Sequence, residues 1–347
     1  MSEIAMGQVL DRLTTVCRTN DLAPLGERLS ALATLVSSDL AEIERDLLAS
    51  VAPAGASERV VARGGAHLVA AGGKRLRPTC VVLAARLGGP VDDVARELAV
   101  AVELVHSATL LHDDVVDLGD ARRGRPTTRA LYGNSASIFA GDWLLVEALR
   151  RVRQTSPEML VPLLDAIEQM IFAESLQLEN RGRLVLDESV WRRVAEGKTA
   201  SLFAWAMVAG ARAGKLTQDE VAALERFGML LGTAFQTVDD VLDFDGDPTS
   251  TGKTLFADLR EGKTTYPLIL AARRDAGLAA QLGAGVDDDV FAREVLEALR
   301  RTGALEEARA FARDQADRAR EALSIVRPGP ARDALATVLE TTVARCA

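Results

Sequence analysis

Cysteine is scarce in this chain: Cys17, Cys80 and Cys346 are widely scattered over 347 residues, with no CxxC or other metal-ligand spacing. That argues against a disulfide framework or a thiolate zinc site and predicts free thiols in a reducing compartment. Long apolar runs are missing too. The most apolar stretch, Val94 to Leu111, is broken by Arg96, Glu97, Glu103 and His106, so nothing approaches the ~20 apolar residues of a membrane span. Met1 to Leu10 lacks the basic segment and apolar run of a secretory signal. Positive charge is not in excess, with 41 Lys and Arg against 50 Asp and Glu and a net charge of -9. General nucleic-acid binding needs clustered cations and is excluded. The expectation is a cytoplasmic protein with no membrane span, although what it binds or releases, delivered to membranes or not, need not be water-soluble.

Alternating apolar and polar residues with β-branched enrichment are also absent, which excludes a substantial sheet. What is present is helical periodicity in a chain that is 48% hydrophobic. Val94, Leu98, Val102, Val105 and Thr109 recur at spacings of three and four. The same spacing predicts helices over residues 27–51, 136–153, 159–179, 190–212, 219–242, 265–273, 289–302 and 305–326. Gly and Pro punctuate the joins, as at Gly88-Gly89-Pro90 and Arg327-Pro328-Gly329. The predicted fold class is all-α: a single large helical bundle over residues 21–347, with residues 1–20 loosely attached.

Two acidic clusters share one spacing. Asp113-Asp114-Val115-Val116-Asp117 closes one apolar helical run and Asp239-Asp240-Val241-Leu242-Asp243 closes another. Residues four apart share a helix face, so Asp113 and Asp117 point the same way, while Asp114 lies about 100° round. Like charges at this spacing repel, and at a helix C-terminus they also face the negative end of the dipole. A hard divalent cation relieves both penalties, and carboxylate oxygens suit Mg²⁺ held jointly with substrate phosphates. Two such motifs on separate helices can face each other across a cavity and grip a diphosphate between several ions.

The basic residues complement this. Gly72-Gly73-Lys74-Arg75-Leu76-Arg77-Pro78 puts cations on a Gly-rich turn leading into a helix, and Arg122-Arg123-Gly124-Arg125-Pro126 follows the first acidic cluster. Arg forks bind phosphate bidentately, and Lys supplies a point charge. The chain holds five lysines, Lys74, Lys198, Lys215, Lys253 and Lys263, and each follows a glycine. Lys215 reads as an ordinary turn after a helix. Among the histidines, His106 lies two helical turns before Asp113 and can reach a diphosphate from the same face.

In their order, GGKRLRP, HSATLLHDDVVD, RRGRPT, GKTAS, FQTVDDVLD and GKTTYP resemble the trans-isoprenyl diphosphate synthases, the polyprenyl synthetase family, from about Gly72 to Pro267. The resemblance implies an all-α bundle around a deep central cavity, the isoprenoid synthase fold, and a homodimer. It implies that Asp113, Asp114, Asp117, Asp239, Asp240 and Asp243 hold several Mg²⁺ ions on an allylic diphosphate. Arg122, Lys198, Lys253 and Lys263 would contact that diphosphate, and Lys74, Arg77, His106 and Arg123 would hold isopentenyl diphosphate. Lys198, Thr199 and Gln236 would sit beside the allylic carbon. Gln177 lies in a segment that matches the family loosely, with Ala173 where a Gly is common.

The implied reaction is ionisation, condensation and proton loss, giving an all-trans polyprenyl diphosphate. Thr109 and Ala108, four and five residues before Asp113, are small where an aromatic closes the tunnel in short-chain members. A medium- or long-chain product is therefore expected, with farnesyl or geranylgeranyl diphosphate synthesis the alternative. A class I terpene cyclase would need neither the second DDxxD nor GGKRLRP, and a non-catalytic partner subunit would be expected to have eroded Asp clusters.

Overall fold

A computed structural model describes residues 23–52, 59–122, 124–246, 255–283 and 289–345. The described chain runs α1 (Ala23–Ser50), α2 (Arg59–Ala70), α3 (Leu76–Arg86) and α4 (Asp93–Val116). A two-stranded hairpin follows, β1 (Ala121–Arg122) against β2 (Arg125–Pro126), then α5 (Thr128–Tyr132), α6 (Asn134–Thr155) and α7 (Leu160–Glu179). Next come α8 (Glu188–Ala195), a π-helical turn (Glu196–Ala200), α9 (Ser201–Ala213) and α10 (Gln218–Asp245). The last elements are α11 (Ala257–Arg260), α12 (Tyr266–Arg274), α13 (Ala276–Gly283), α14 (Asp289–Arg301), α15 (Ala304–Ala322) and α16 (Pro330–Ala344). The loosely attached segment expected over residues 1–20 lies outside the described residues.

Contacts group the chain into two compact units. The first comprises Met1–Leu163, Trp205–Glu225 and Leu323–Val338. Its central helix is α4, which packs against α6, α3 and α1. The Asp92 side chain accepts the Ala95 N–H at 2.9 Å and caps the start, with Asp93 in the first turn favouring the positive end of the dipole. Val100, Ala101, Val102, Leu104 and Val105 are all buried, so this stretch is apolar nearly all round, as a core helix must be. Gly141 lets α6 approach α4, because a Cβ there would strike the His112 ring.

The second unit comprises Leu164–Ala204, Arg226–Ala322 and Leu339–Ala347. Trp191, Val238, Phe244, Tyr266, Leu299 and Ala308 belong to its core. The Trp191 and Tyr266 rings stack at 4.5 Å, and Phe311 meets the Trp191 ring edge-on at 5.9 Å.

The structure departs from the predicted elements in two places. The spacing predicts one helix over residues 190–212, but Glu196–Ala200 forms a π turn closed by Ser201 N–H on the Glu196 carbonyl. Gly197 permits it, since a Cβ there would lie 2.7 Å from Ala173 Cβ and 2.8 Å from the Gln169 carbonyl. The hairpin at 121–126 has two residues per strand, too short to leave a period-two signal.

Candidate active site

In the first unit, α4 ends at the first acidic cluster, and Asp117 is its C-cap, its N–H bonded to the Asp113 carbonyl at 2.8 Å. Asp113 and Asp117 are half-buried, while Asp114 is turned inward and 3% exposed. That is the angular separation a helix imposes on neighbouring positions. After the helix the chain curls back: the Gly119 N–H donates to the Asp114 carbonyl at 2.9 Å, and Arg122 Nε donates to Asp114 Oδ1 at 2.9 Å. Burial raises the Asp114 carboxyl above the ordinary aspartate range, and the Arg122 charge opposes that rise. The second oxygen, Asp114 Oδ2, is buried without a hydrogen bond.

The Gly-rich turn is held by Arg75, whose backbone is left-handed (φ 47°, ψ 35°). Its guanidinium grips Glu44 on α1 through two bonds of 2.8 and 2.9 Å and reaches Glu103 on α4 at 2.6 Å. It also donates to the Val69 carbonyl at the end of α2 at 3.1 Å. Burial pulls this guanidinium towards neutrality, but Glu103 and Glu44 outweigh it and keep the group charged. The turn is thereby tied to α4 one helical turn below His106. Lys74 is exposed, and Arg77 and His106 are half-buried. Arg123 lies outside the described residues.

In the second unit the other acidic cluster lies inside α10. Asp240 is 3% exposed; its Oδ1 accepts Gln236 Nε2 at 2.8 Å, and its Oδ2 accepts the Trp191 indole N–H at 2.8 Å and the Tyr266 N–H at 3.1 Å. Burial, with a smaller push from Asp258, raises its pKa to about 7 against the pull of those three donors. Asp243 is also buried and accepts the Ala257 N–H at 3.0 Å, capping α11. Asp239 is half-buried and lies 3.0 Å from the guanidinium of Arg345, which also sits over the Phe235 ring at 5.2 Å.

The π turn aims its side chains at two helices. Lys198 Nζ donates to Gln177 Oε1 at 3.2 Å and pairs with Glu174, both on α7. Thr199 Oγ1 donates to Gln236 Oε1 on α10 at 2.8 Å. Lys263 Nζ lies 2.6 Å from Glu261 and, with Gln177 and Trp191, lines a small cleft. Lys253 lies outside the described residues. Lys215 has φ 56° and lies in the turn just after α9, as the turn reading expects. Sequence reasoning missed Glu174, Trp191 and Arg345. Glu174 stands one turn before Gln177, but Trp191 and Arg345 lie far from the motifs and carry no local signal.

The described residues contain no ready-made group of three or more His, Cys, Asp or Glu side chains for a metal ion. A hard cation that keeps waters and shares substrate phosphate oxygens needs only one or two carboxylates. The acidic donor set and the bare, buried Asp114 Oδ2 fit such an ion.

Residues 58–299 match the family model described as polyprenyl synthetase. The chain belongs to the polyprenyl synthetase family. It is 37% identical over 284 residues to nonaprenyl diphosphate synthase of Mycobacterium tuberculosis, covering 80% of this chain and 85% of that one. It is 36% identical over 323 residues to octaprenyl diphosphate synthase of Escherichia coli, covering 91% and 99%. A crystal structure of polyprenyl synthase from Caulobacter crescentus, complexed with calcium and isoprenyl diphosphate, superposes with a TM-score of 0.85 at 36% identity, covering 92% and 98%. The fold is therefore the all-α isoprenoid synthase fold, and this polyprenyl synthetase is a prenyltransferase. Among the described residues no helix is long and apolar enough to cross a membrane.

Proposed function

We propose that the chain condenses isopentenyl diphosphate with an allylic diphosphate, assisted by Mg²⁺, to make a medium- or long-chain all-trans polyprenyl diphosphate. The observation that carries this reading is the convergence of Thr199 Oγ1 and Gln236 Oε1, 2.8 Å apart, beside Lys198 and one turn before Asp240. Oxygen acceptors grouped in a largely buried site suit a substrate carbon that becomes positive. The family membership and the octaprenyl and nonaprenyl relatives support the substrate class and the product length.

By the family resemblance, Asp113, Asp114 and Asp117 of the first cluster and Asp239 of the second would hold the ions, and bound Mg²⁺ would supply Lewis acidity for the departing diphosphate. Arg122 and Lys198 would neutralise charge on that diphosphate, with Lys263 and Lys253 assigned to the same group through the family resemblance. Lys74, Arg77 and His106, on or beside the turn pinned by Arg75, would hold isopentenyl diphosphate together with Arg123. The released diphosphate would accept the final proton. Ile138, Phe139 and Val146 on α6, and Ile171 and Phe172 on α7, are exposed apolar side chains consistent with a homodimer.

The test is incubation with labelled isopentenyl diphosphate, Mg²⁺ and primers of several lengths, followed by product sizing. Products extended by several units are expected. Failure with every primer would overturn the reading, and addition of a single unit would overturn its chain-length part.

A further inference from the structure

The spacing of the second cluster makes Asp240 a candidate metal ligand, yet its surroundings describe another role. It is 3% exposed, and its two oxygens already take three hydrogen bonds, from Gln236 Nε2, the Trp191 indole and the Tyr266 backbone. A carboxylate has about four acceptor positions, so little capacity is left for an ion. Asp114, the matching residue of the first cluster, still has a buried oxygen without a hydrogen bond.

The three bonds also have a direction. An indole N–H and a backbone N–H can only donate, and a carboxylate facing an amide selects its nitrogen. With its nitrogen committed to Asp240, Gln236 must turn its oxygen to Thr199, and the Thr199 hydroxyl must spend its proton on that oxygen. The remaining lone pairs of both oxygens are then available to substrate. If the amide were reversed, its N–H groups would face Thr199 and the hydroxyl proton would be released towards the site. A donor aimed at a carbon that becomes positive opposes the reaction, whereas an oriented acceptor favours it without reorganisation.

We propose that Asp240 is a positioning residue: through Gln236 it sets the hydrogen-bond direction of Thr199 so that acceptor oxygens face the reacting allylic carbon. This rests on the prenyltransferase reading and assigns Asp240 a task within it other than metal ligation. The Trp191 and Tyr266 donors anchor the carboxylate to α8 and to the start of α12, so the relay is seated on packed elements.

The test is a cycle of wild type, Asp240→Asn, Gln236→Glu and the double variant. Asp240→Asn alone sets an amide N–H against a donor. The double variant restores every polarity. Its new amide can donate to the new carboxylate and accept from Trp191 and Tyr266, while that carboxylate accepts from Thr199. Turnover and KM are measured with thermal unfolding, and Mn²⁺ affinity is measured by calorimetry with inorganic diphosphate present. Asp240→Asn is expected to lose about a hundredfold in kcat, the scale of a misplaced catalytic group, with Mn²⁺ affinity within about threefold of wild type, well short of the loss on disturbing a metal site. The double variant is expected to recover kcat about tenfold over Asp240→Asn, since its geometry is restored. A loss of Mn²⁺ affinity of about tenfold or more in Asp240→Asn, or no recovery in the double variant, would overturn the proposal. If Asp240→Asn does not fold, Trp191→Phe loosens the anchor without altering charge; a lower kcat at unchanged Mn²⁺ affinity supports the relay, and an unchanged kcat sinks it. Wild type that fails to condense any primer would defeat the prenyltransferase reading itself, whereas an active wild type confines every other outcome to Asp240.

Discussion

The two acidic motifs share one spacing but differ in how fully the protein satisfies the second carboxylate of each, Asp114 and Asp240. In the first unit Asp113 and Asp117 are half-buried at the end of α4, and Asp114 keeps one buried oxygen without a hydrogen bond. In the second unit the motif lies inside α10: Asp240 takes three donors, Asp243 caps α11, and Asp239 has the Arg345 guanidinium beside it. Burial demands donors for a carboxylate: the protein gives Asp240 three and leaves one oxygen of Asp114 without a hydrogen bond. The same five-residue pattern can therefore hold its second carboxylate in two different ways.

The sharpest way to break this contrast is to neutralise matching positions. Asp113→Asn should lower condensation on the order of a thousandfold, the upper range for losing one key electrostatic group, and raise the Mg²⁺ concentration needed for half-maximal rate. Asp243→Asn removes a carboxylate already engaged by the Ala257 N–H. It should lower the unfolding free energy by about 1–3 kcal/mol, as loss of a buried hydrogen-bonded group does, while shifting the Mg²⁺ requirement less. Steady-state rates across a Mg²⁺ series, with urea unfolding, check both. Equal shifts in Mg²⁺ requirement would erase the distinction.

Much of this was legible in the sequence, and what was not has a physical cause. Periodicity carried the long helices, because α4 and α10 show spacings of three and four through their apolar residues. It could not carry the π turn at Glu196–Ala200, whose extra residue depends on Gly197 lying against α7. The motif residues stand out in the sequence by charge and spacing, but the surroundings of each carboxylate do not. Trp191 is 49 residues from Asp240 in the chain, and their bond is set by packing of the second unit's core. Arg75 is similar: it reads as one more cation in GGKRLRP, and only its burial between Glu44 and Glu103 marks it as the clamp of that turn.

The contrast extends to the helical turn before each motif. Thr109 stands four residues before Asp113, and Phe235 stands four before Asp239, with its ring 5.8 Å from that of Phe203. Thr109→Phe should shorten the product, read by sizing labelled polyprenyl chains, if this face of α4 lines the tunnel; unchanged length would sink the tunnel assignment. Ala108→Phe, the change the sequence suggests equally well, is the poorer probe. Ala108 is 2% exposed, so the larger ring should cost about 1–3 kcal/mol of stability through overpacking.

The smallest expected effect concerns Arg345. Its guanidinium lies 3.0 Å from Asp239 and stacks over Phe235, with both charged side chains only partly exposed. A cation at that distance competes with any divalent ion for the same carboxylate, but a partly screened pair contributes at most about 1 kcal/mol. Arg345→Ala should therefore lower the half-saturating Mg²⁺ concentration by about two- to fivefold, the ratio that this energy permits. Calorimetric titration of Mn²⁺ with inorganic diphosphate reads the change apart from turnover. If affinity stayed the same, the Arg345 guanidinium would not compete with an ion for Asp239. If affinity rose as expected, the second motif would have one receiving carboxylate at its first position, and the difference between the motifs would narrow to Asp240 and Asp243.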